Sequence, residues 1–90
     1  MDVFEYSNSS ITWLFEVGNP PETFQWYFKS TKDGIFGKLN NNYDGNILTL
    51  QNVTHAMAGL YKCTATNKVG QTSVEVLVQV ICEFLTILFY

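Results

Sequence analysis

Few side chains in this sequence are able to do chemistry. They are two thiols, Cys63 and Cys82, one imidazole, His55, and two asparagines that open N-x-S/T triplets, Asn8-Ser9-Ser10 and Asn52-Val53-Thr54. Cys63 and Cys82 do not form a C-x-x-C metal pair, and they permit one bridge at most. His55 has no neighbouring Cys or Ser in a nucleophile motif. The chain contains no G-x-S-x-G, no phosphate-cradling glycine loop and no His/Cys/carboxylate spacing suited to a metal. The expectation is a protein without catalytic residues, without a metal and without a cofactor. The two triplets are N-glycan acceptors if the chain enters the secretory pathway. The one at Asn52 falls at the end of an expected strand, exposed and clear of the expected core.

Composition says what kind of scaffold carries these groups. Ninety residues that are 47% hydrophobic, 16% aromatic and 14% charged make one small domain with a real core. Eight acids against five bases give a net charge of -3 with no basic run. Binding to a phosphate backbone needs the opposite balance, so nucleic acid is excluded as a partner. Met1-Asp2-Val3-Phe4-Glu5 lacks the basic and continuous apolar regions of a secretory signal. Residues 81–90 (ICEFLTILFY) are strongly apolar but fall well short of the roughly twenty residues that span a bilayer as a helix. The expected domain is therefore 1–80, followed by an apolar tail over 81–90, with a membrane involved only through a parent chain.

Periodicity gives the fold class. Ile11, Trp13, Phe15 and Val17 share one parity with Thr12 and Glu16 opposite, which is the period-2 pattern of a strand with one buried face. Gly18-Asn19-Pro20-Pro21 ends it, because proline cannot donate to a ladder. Phe24, Trp26 and Phe28 then point inward, with Gln25, Tyr27 and Lys29 outward. A short, weak strand is expected over 35–39, between Lys32-Asp33-Gly34 and a polar loop over 40–46. Leu48 and Leu50 alternate with Thr49 and Gln51; Tyr61, Cys63 and Ala65 alternate with Lys62, Thr64 and Thr66. After a hairpin turn at Asn67-Lys68-Val69-Gly70 comes the most regular strand, with Val74, Val76, Val78 and Val80 on one face. No window shows a sustained helical stripe. Short strands separated by turn signals predict an all-β antiparallel sandwich or small barrel.

Three segments carry a resemblance. Phe24-Gln25-Trp26-Tyr27, Leu48-Thr49-Leu50-Gln51-Asn52-Val53 and Gly59-Leu60-Tyr61-Lys62-Cys63-Thr64-Ala65-Thr66-Asn67 with Gly70 look like strands C, E and F and the F–G turn of an I-set immunoglobulin domain. The resemblance implies an immunoglobulin-like antiparallel β-sandwich over roughly residues 10–80. In it Trp26 fills the space between the sheets, and Tyr61 makes the corner bond from its hydroxyl to upstream backbone. Phe15-Glu16-Val17-Gly18-Asn19-Pro20, with Thr54-His55, is also similar to the membrane-proximal domain of neurotrophin (Trk) receptor kinases, in which His55 and the neighbouring turn would touch ligand. The cross-strand cysteines of that domain would fall near Thr12 and Ile47, where this chain has none.

Two departures from the family pattern bear on stability. Phe15, or Leu14 if the register slips by one, stands where strand B presents the first cysteine of the inter-sheet bridge, so Cys63 lacks its usual partner. Met57 stands where the family has an Asp four residues before the corner Tyr, which removes an ion pair. A missing bridge costs about 2–5 kcal/mol in a small domain, and burial of Phe15 returns about 1.5–3 kcal/mol of that. The expectation is a marginally stable sandwich without the B–F disulfide, holding a free buried Cys63 in a core with Phe15, Trp26, Leu50 and Tyr61. Cys82 lies past the last strand and is not expected to reach Cys63.

Such a fold implies recognition of another protein, through the sheet of strands C, F and G or through end loops. The outward residues there are Tyr27, Lys62, Thr64, Glu75, Leu77 and Gln79, with Tyr27 and Leu77 as apolar anchors in a polar surround. The favoured reading is an extracellular receptor or adhesion module, part of a larger glycoprotein. The alternatives are an intracellular structural module of a muscle or cytoskeletal filament protein, which suits the missing bridge and signal, and a truncated product. The last draws on the initiating Met just upstream of strand B, with little room for a strand A, and on the apolar tail.

Overall fold

The computed structural model describes residues 1–14, 21 and 23–82. Eight strands build it: β1 (Asp2–Phe4), β2 (Ser9–Thr12), β3 (Thr23–Ser30), β4 (Gly37–Lys38), β5 (Tyr43–Asp44), β6 (Ile47–Leu50), β7 (Gly59–Thr66) and β8 (Gln71–Ile81). A 3-10 turn, His55–Met57, precedes β7. The strands form a five-stranded sheet ordered β1-β8-β7-β3-β4 and a three-stranded sheet ordered β2-β6-β5. The all-β sandwich expected from the alternating pattern is what forms, and Cys63 and Cys82 are both free thiols.

Alternation drives the packing. Along β7, Gly59, Tyr61, Cys63 and Ala65 are buried while the residues between them are not. Register then stacks inward side chains across three strands: Trp26 opposite Cys63 and Cys63 opposite Val74, Phe28 opposite Tyr61 and Tyr61 opposite Val76. From the second sheet and its flanks come Ile11, Leu48, Leu50 and Val53, and Val3 closes the end near β8. The two largest anchors are also hydrogen bonded. Trp26 Nε1 donates to the Gly45 carbonyl at 2.9 Å, joining β3 to the β5–β6 turn of the opposite sheet. The Tyr61 hydroxyl donates to the Met57 carbonyl at 2.6 Å. Where the family pattern has an acidic side chain, Met57 offers its backbone oxygen to the corner and packs its thioether against the core.

Several sequence-based expectations need correcting. β1 occupies Asp2–Phe4 and runs parallel to the end of β8, pairing Asp2 with Gln79 and Phe4 with Ile81, so an edge strand does precede β2. β8 accordingly continues through Ile81, one residue into the segment read as tail. The polar loop over 40–46 contains β5, whose Tyr43 pairs with Leu48, and the weak strand over 35–39 contracts to Gly37–Lys38. Leu14 is 81% exposed, which rules out the register slip that would turn it inward. Phe15 and Val17 lie outside the described residues, as do 83–90. The hairpin turn holds: Asn67 Oδ1 accepts from the Val69 and Gly70 backbone at 2.8 and 3.1 Å, the Asx geometry that favours Asn at a turn.

The buried thiol has a measurable consequence. Cys63 is 0% exposed, and desolvation by burial pushes its pKa up to about 11 from 9.0. In the unfolded chain the thiol ionises first, so between about pH 9 and 11 the unfolded state holds fewer protons and stability falls as pH rises. We expect urea midpoints to drop between pH 8 and pH 10.5, and Cys63→Ala to flatten that drop. We also expect two thiols per chain in denaturant, with Cys82 alone reacting rapidly at pH 8 in the native state. A native protein with no titratable thiol, or with Cys63 reacting as fast as Cys82, would contradict the buried free thiol.

Candidate functional site: the outer face of the five-stranded sheet

The side of β3, β7 and β8 turned away from the second sheet carries three cross-strand rows. Gln25, Thr64 and Ser73 form the first; Lys38, Tyr27, Lys62 and Glu75 the second; Lys29, Leu60 and Leu77 the third. Directly opposite residues of antiparallel strands share a face with Cβ atoms about 5 Å apart. Thr64 Oγ1 and Ser73 Oγ are hydrogen bonded at 2.9 Å, while Gln25 Nε2 turns toward the β3–β4 edge to donate to the Trp26 and Leu39 carbonyls. The first row is thus internally satisfied, and the other two hold the reactive surface.

Lysines and rings meet in those rows. Lys62 Nζ sits 4.7 Å from the Tyr27 ring centroid and 4.4 Å from that of Phe36, and Lys29 Nζ lies 4.8 Å from Phe36 on the same side of the sheet. An ammonium over an aromatic face is held by the ring quadrupole. Tyr27 is consequently half-buried, its ring partly covered by Lys62, whereas Leu77 is 47% exposed. The sequence placed Tyr27, Lys62, Thr64 and Leu77 on one face, and the structure brings them together there. It adds Phe36, which sits immediately before β4 and outside the alternating strands. An aromatic between Gly34 and Gly37, inside the weak strand expected over 35–39, was the available signal.

The remaining candidates gather at one end of the sandwich. Val53 N donates to Ser7 O at 3.0 Å and Tyr6 N to Val53 O at 2.7 Å, so the β1–β2 connection pairs with the segment after β6. Asn52 N donates to Asn8 Oδ1 at 2.8 Å, which makes the two glycosylation triplets neighbours. Among the described residues neither asparagine's Nδ2, the atom a glycan would take, is hydrogen bonded, and both side chains are exposed. Asn52 adopts φ +48, a left-handed geometry asparagine tolerates better than most. His55, on the 3-10 turn, places Nε2 at 3.2 Å from the Glu5 carboxylate. The imidazole therefore fastens the turn to the end of β1. Thr12 and Ile47, the positions compared with a cross-strand bridge, are directly paired in β2 and β6.

Two further features define the limits of the chemistry. A cavity of about 420 Å³ opens between the sheets near the 3-10 turn, lined by Phe28, Leu48, Leu50, Met57 and Tyr61 with a few amide and hydroxyl groups at its mouth, and no acid, base or imidazole reaches it. Among the described residues no three His, Cys, Asp or Glu side chains gather as metal ligands, and no helix is long and apolar enough to cross a membrane.

Comparison with known proteins decides the family. The family model for the immunoglobulin domain matches residues 7–67. The chain belongs to the immunoglobulin family. Solved relatives repeat the architecture. The N-terminal four immunoglobulin domains of Dscam1 isoform 6.9 superpose with a TM-score of 0.75 at 24% identity, covering 89% of this chain and 21% of that one. The eight N-terminal domains of Down syndrome cell adhesion molecule isoform 1.30.30 give 0.74 at 21% identity, covering 89% and 12%. The titin M3 domain gives 0.57 at 25% identity, covering 88% and 84%. This immunoglobulin domain thus spans about a fifth or less of the adhesion-molecule chains and most of the single titin domain. In family terms β3, β6 and β7 are strands C, E and F, and Tyr61 forms the corner ahead of Cys63.

Proposed function

We propose that this immunoglobulin domain is a non-catalytic, protein-binding module of a larger cell-surface adhesion or receptor protein, and that it recognises its partner through the outer face of β3, β7 and β8. The observation that carries the reading is the cluster on that face of the Tyr27 and Phe36 rings under Lys62 and Lys29, beside the exposed Leu77. Tyr27, Phe36 and Leu77 present apolar area among polar groups, the composition of an interface core with its rim. Neither glycosylation triplet lies on β3, β7 or β8, so glycans on Asn8 and Asn52 would leave the face bare. The similarity to cell adhesion molecules built from such domains supports the same placement outside the cell.

A second reading has its own observation. Two free thiols, one of them in the core, suit a reducing compartment, and the titin domain resembles this chain along most of its length. An intracellular filament module is the corresponding function.

Enzymatic removal of N-glycans from the endogenous protein separates the two. We expect a downward shift in mobility that disappears in the Asn8→Gln/Asn52→Gln variant. An unchanged mobility would leave the extracellular reading without positive support and turn the search to a filament module or a truncated product. The face itself is tested by a photo-crosslinking residue at Thr64 on the intact protein. The adduct with a partner at the cell surface is expected to vanish with Tyr27→Ala or Leu77→Asp, and one that survives both would place recognition elsewhere.

A further inference from the structure

We infer that the outer face selects an acidic partner segment, specifically an extended stretch of protein in which a carboxylate and an apolar side chain alternate. The inference rests on the sheet-face reading above and names the chemistry of its partner.

Charge is unevenly distributed over the molecule. The chain is net acidic, yet three of its five lysines, Lys29, Lys38 and Lys62, stand on this face with Glu75 as the single acid in the same rows. Among the described residues no carboxylate lies within ion-pair distance of any of the three, Glu75 included, and the one ion pair seen is that of His55 with Glu5. Two of the ammonium groups rest against a single ring, 4.8 and 4.4 Å from the Phe36 centroid. Contact with one ring keeps the two ammonium groups within about 9 Å of each other, comparable with the screening length of about 8 Å at physiological salt, so their repulsion is only partly screened. An anion arriving between them relieves that repulsion and keeps both ring contacts. The lysines are also partly ordered beforehand by Tyr27 and Phe36, which lowers the side-chain entropy lost on binding.

The adjoining row determines what the anion must be attached to. Leu60 and Leu77 lie opposite each other beside Lys29, and Leu77 is largely open to solvent. Rows two residues apart along a strand are separated by about 6.7 Å, which is also the spacing of alternate side chains on an extended peptide. A segment laid along β7 with a carboxylate over Lys62 therefore sets an apolar side chain two positions on over the row of Leu60 and Leu77, with Lys29 at that row's end. A sulfated polysaccharide would satisfy the lysines but has nothing to place on the leucines.

The test titrates the full-length protein with fluorescent synthetic peptides carrying Glu-x-Leu-x-Glu-x-Leu, with the same peptides in which each Glu is Gln, and with a heparin octasaccharide. We expect the acidic peptide to bind about 10-fold tighter than its amide counterpart and to weaken as salt rises. Lys62→Gln and Lys29→Gln should each reduce affinity about 5-fold, Lys62→Arg should retain it, and Lys68→Gln on the distant hairpin turn should change nothing. Equal affinity for the two peptides would overturn acid selectivity; if that binding still required Tyr27 and Leu77, the sheet-face reading would stand without it. Binding of the octasaccharide but not the acidic peptide would replace the protein segment by a glycan. Failure of the protein to bind the acidic peptide at all would refute the inference.

Discussion

Gly59→Ala is expected to remove most of the protein's stability. Gly59 opens β7 opposite Ser30 with φ +150, and a Cβ placed there would lie 2.2 Å from the Lys29 carbonyl oxygen and 3.0 Å from Ser30 Cα. All the nearest atoms are backbone, so no side chain can swing aside. Relief requires β3 and β7 to separate at the point where their eight-residue pairing begins, next to the Tyr61 corner. A strained backbone conformation costs about 1–3 kcal/mol by itself, and with the overlap the total reaches about 4 kcal/mol. For a small sandwich without an inter-sheet disulfide that is most of the available stability. Gly70→Ala is the control: nothing lies within 4 Å of its would-be Cβ, and the Asn67 bond to its N–H is unaffected, so a change within about 0.5 kcal/mol is expected. Urea titrations followed by tryptophan fluorescence compare the two. Similar midpoints for Gly59→Ala and wild type would mean that β3 and β7 are not as tightly apposed as described.

Trp26→Ala is the second large effect. Trp26 is 1% exposed and stands between Cys63 on β7 and the β5–β6 turn, where its indole N–H reaches Gly45 O. Truncation removes the largest fully buried side chain and leaves the Gly45 carbonyl unpaired, which together cost about 3–5 kcal/mol. Trp26→Phe keeps much of the apolar volume and loses the bond, so it should cost about 1–3 kcal/mol, the penalty of an orphaned polar group. Near-UV circular dichroism and urea midpoints order the three proteins. If Trp26→Phe were as damaging as Trp26→Ala, the hydrogen bond across the sheets rather than the packing would be holding them together.

Much of the candidate surface was legible before any coordinates. Tyr27, Lys62, Thr64 and Leu77 could be assigned to one face because a strand sends alternate side chains to opposite sides, whatever lies next to it. That Tyr27 stands between Lys38 and Lys62 was not legible, because cross-strand neighbours depend on register and on how the chain returns over residues 31–36. Phe36 was missed for the same reason: its partners, Lys29 and Lys62, come from two different strands. The resemblance set His55 on a ligand-contacting turn, and only the arrival of Glu5 from the end of the first strand gives it a partner within the chain. Asn8 and Asn52 were two separate triplets in the sequence and are neighbours in space.

By itself the sequence determined the class of fold and the inward and outward faces of each long strand. Those follow from alternation and turn chemistry, which act over a few residues. Only the tertiary structure decided the parallel seat of β1 against β8, the joining of the two asparagine triplets, and the lysine–aromatic cluster that distinguishes one face from every other. Each of these joins residues far apart in the chain, and such contacts are fixed by packing against a common core rather than by any local preference.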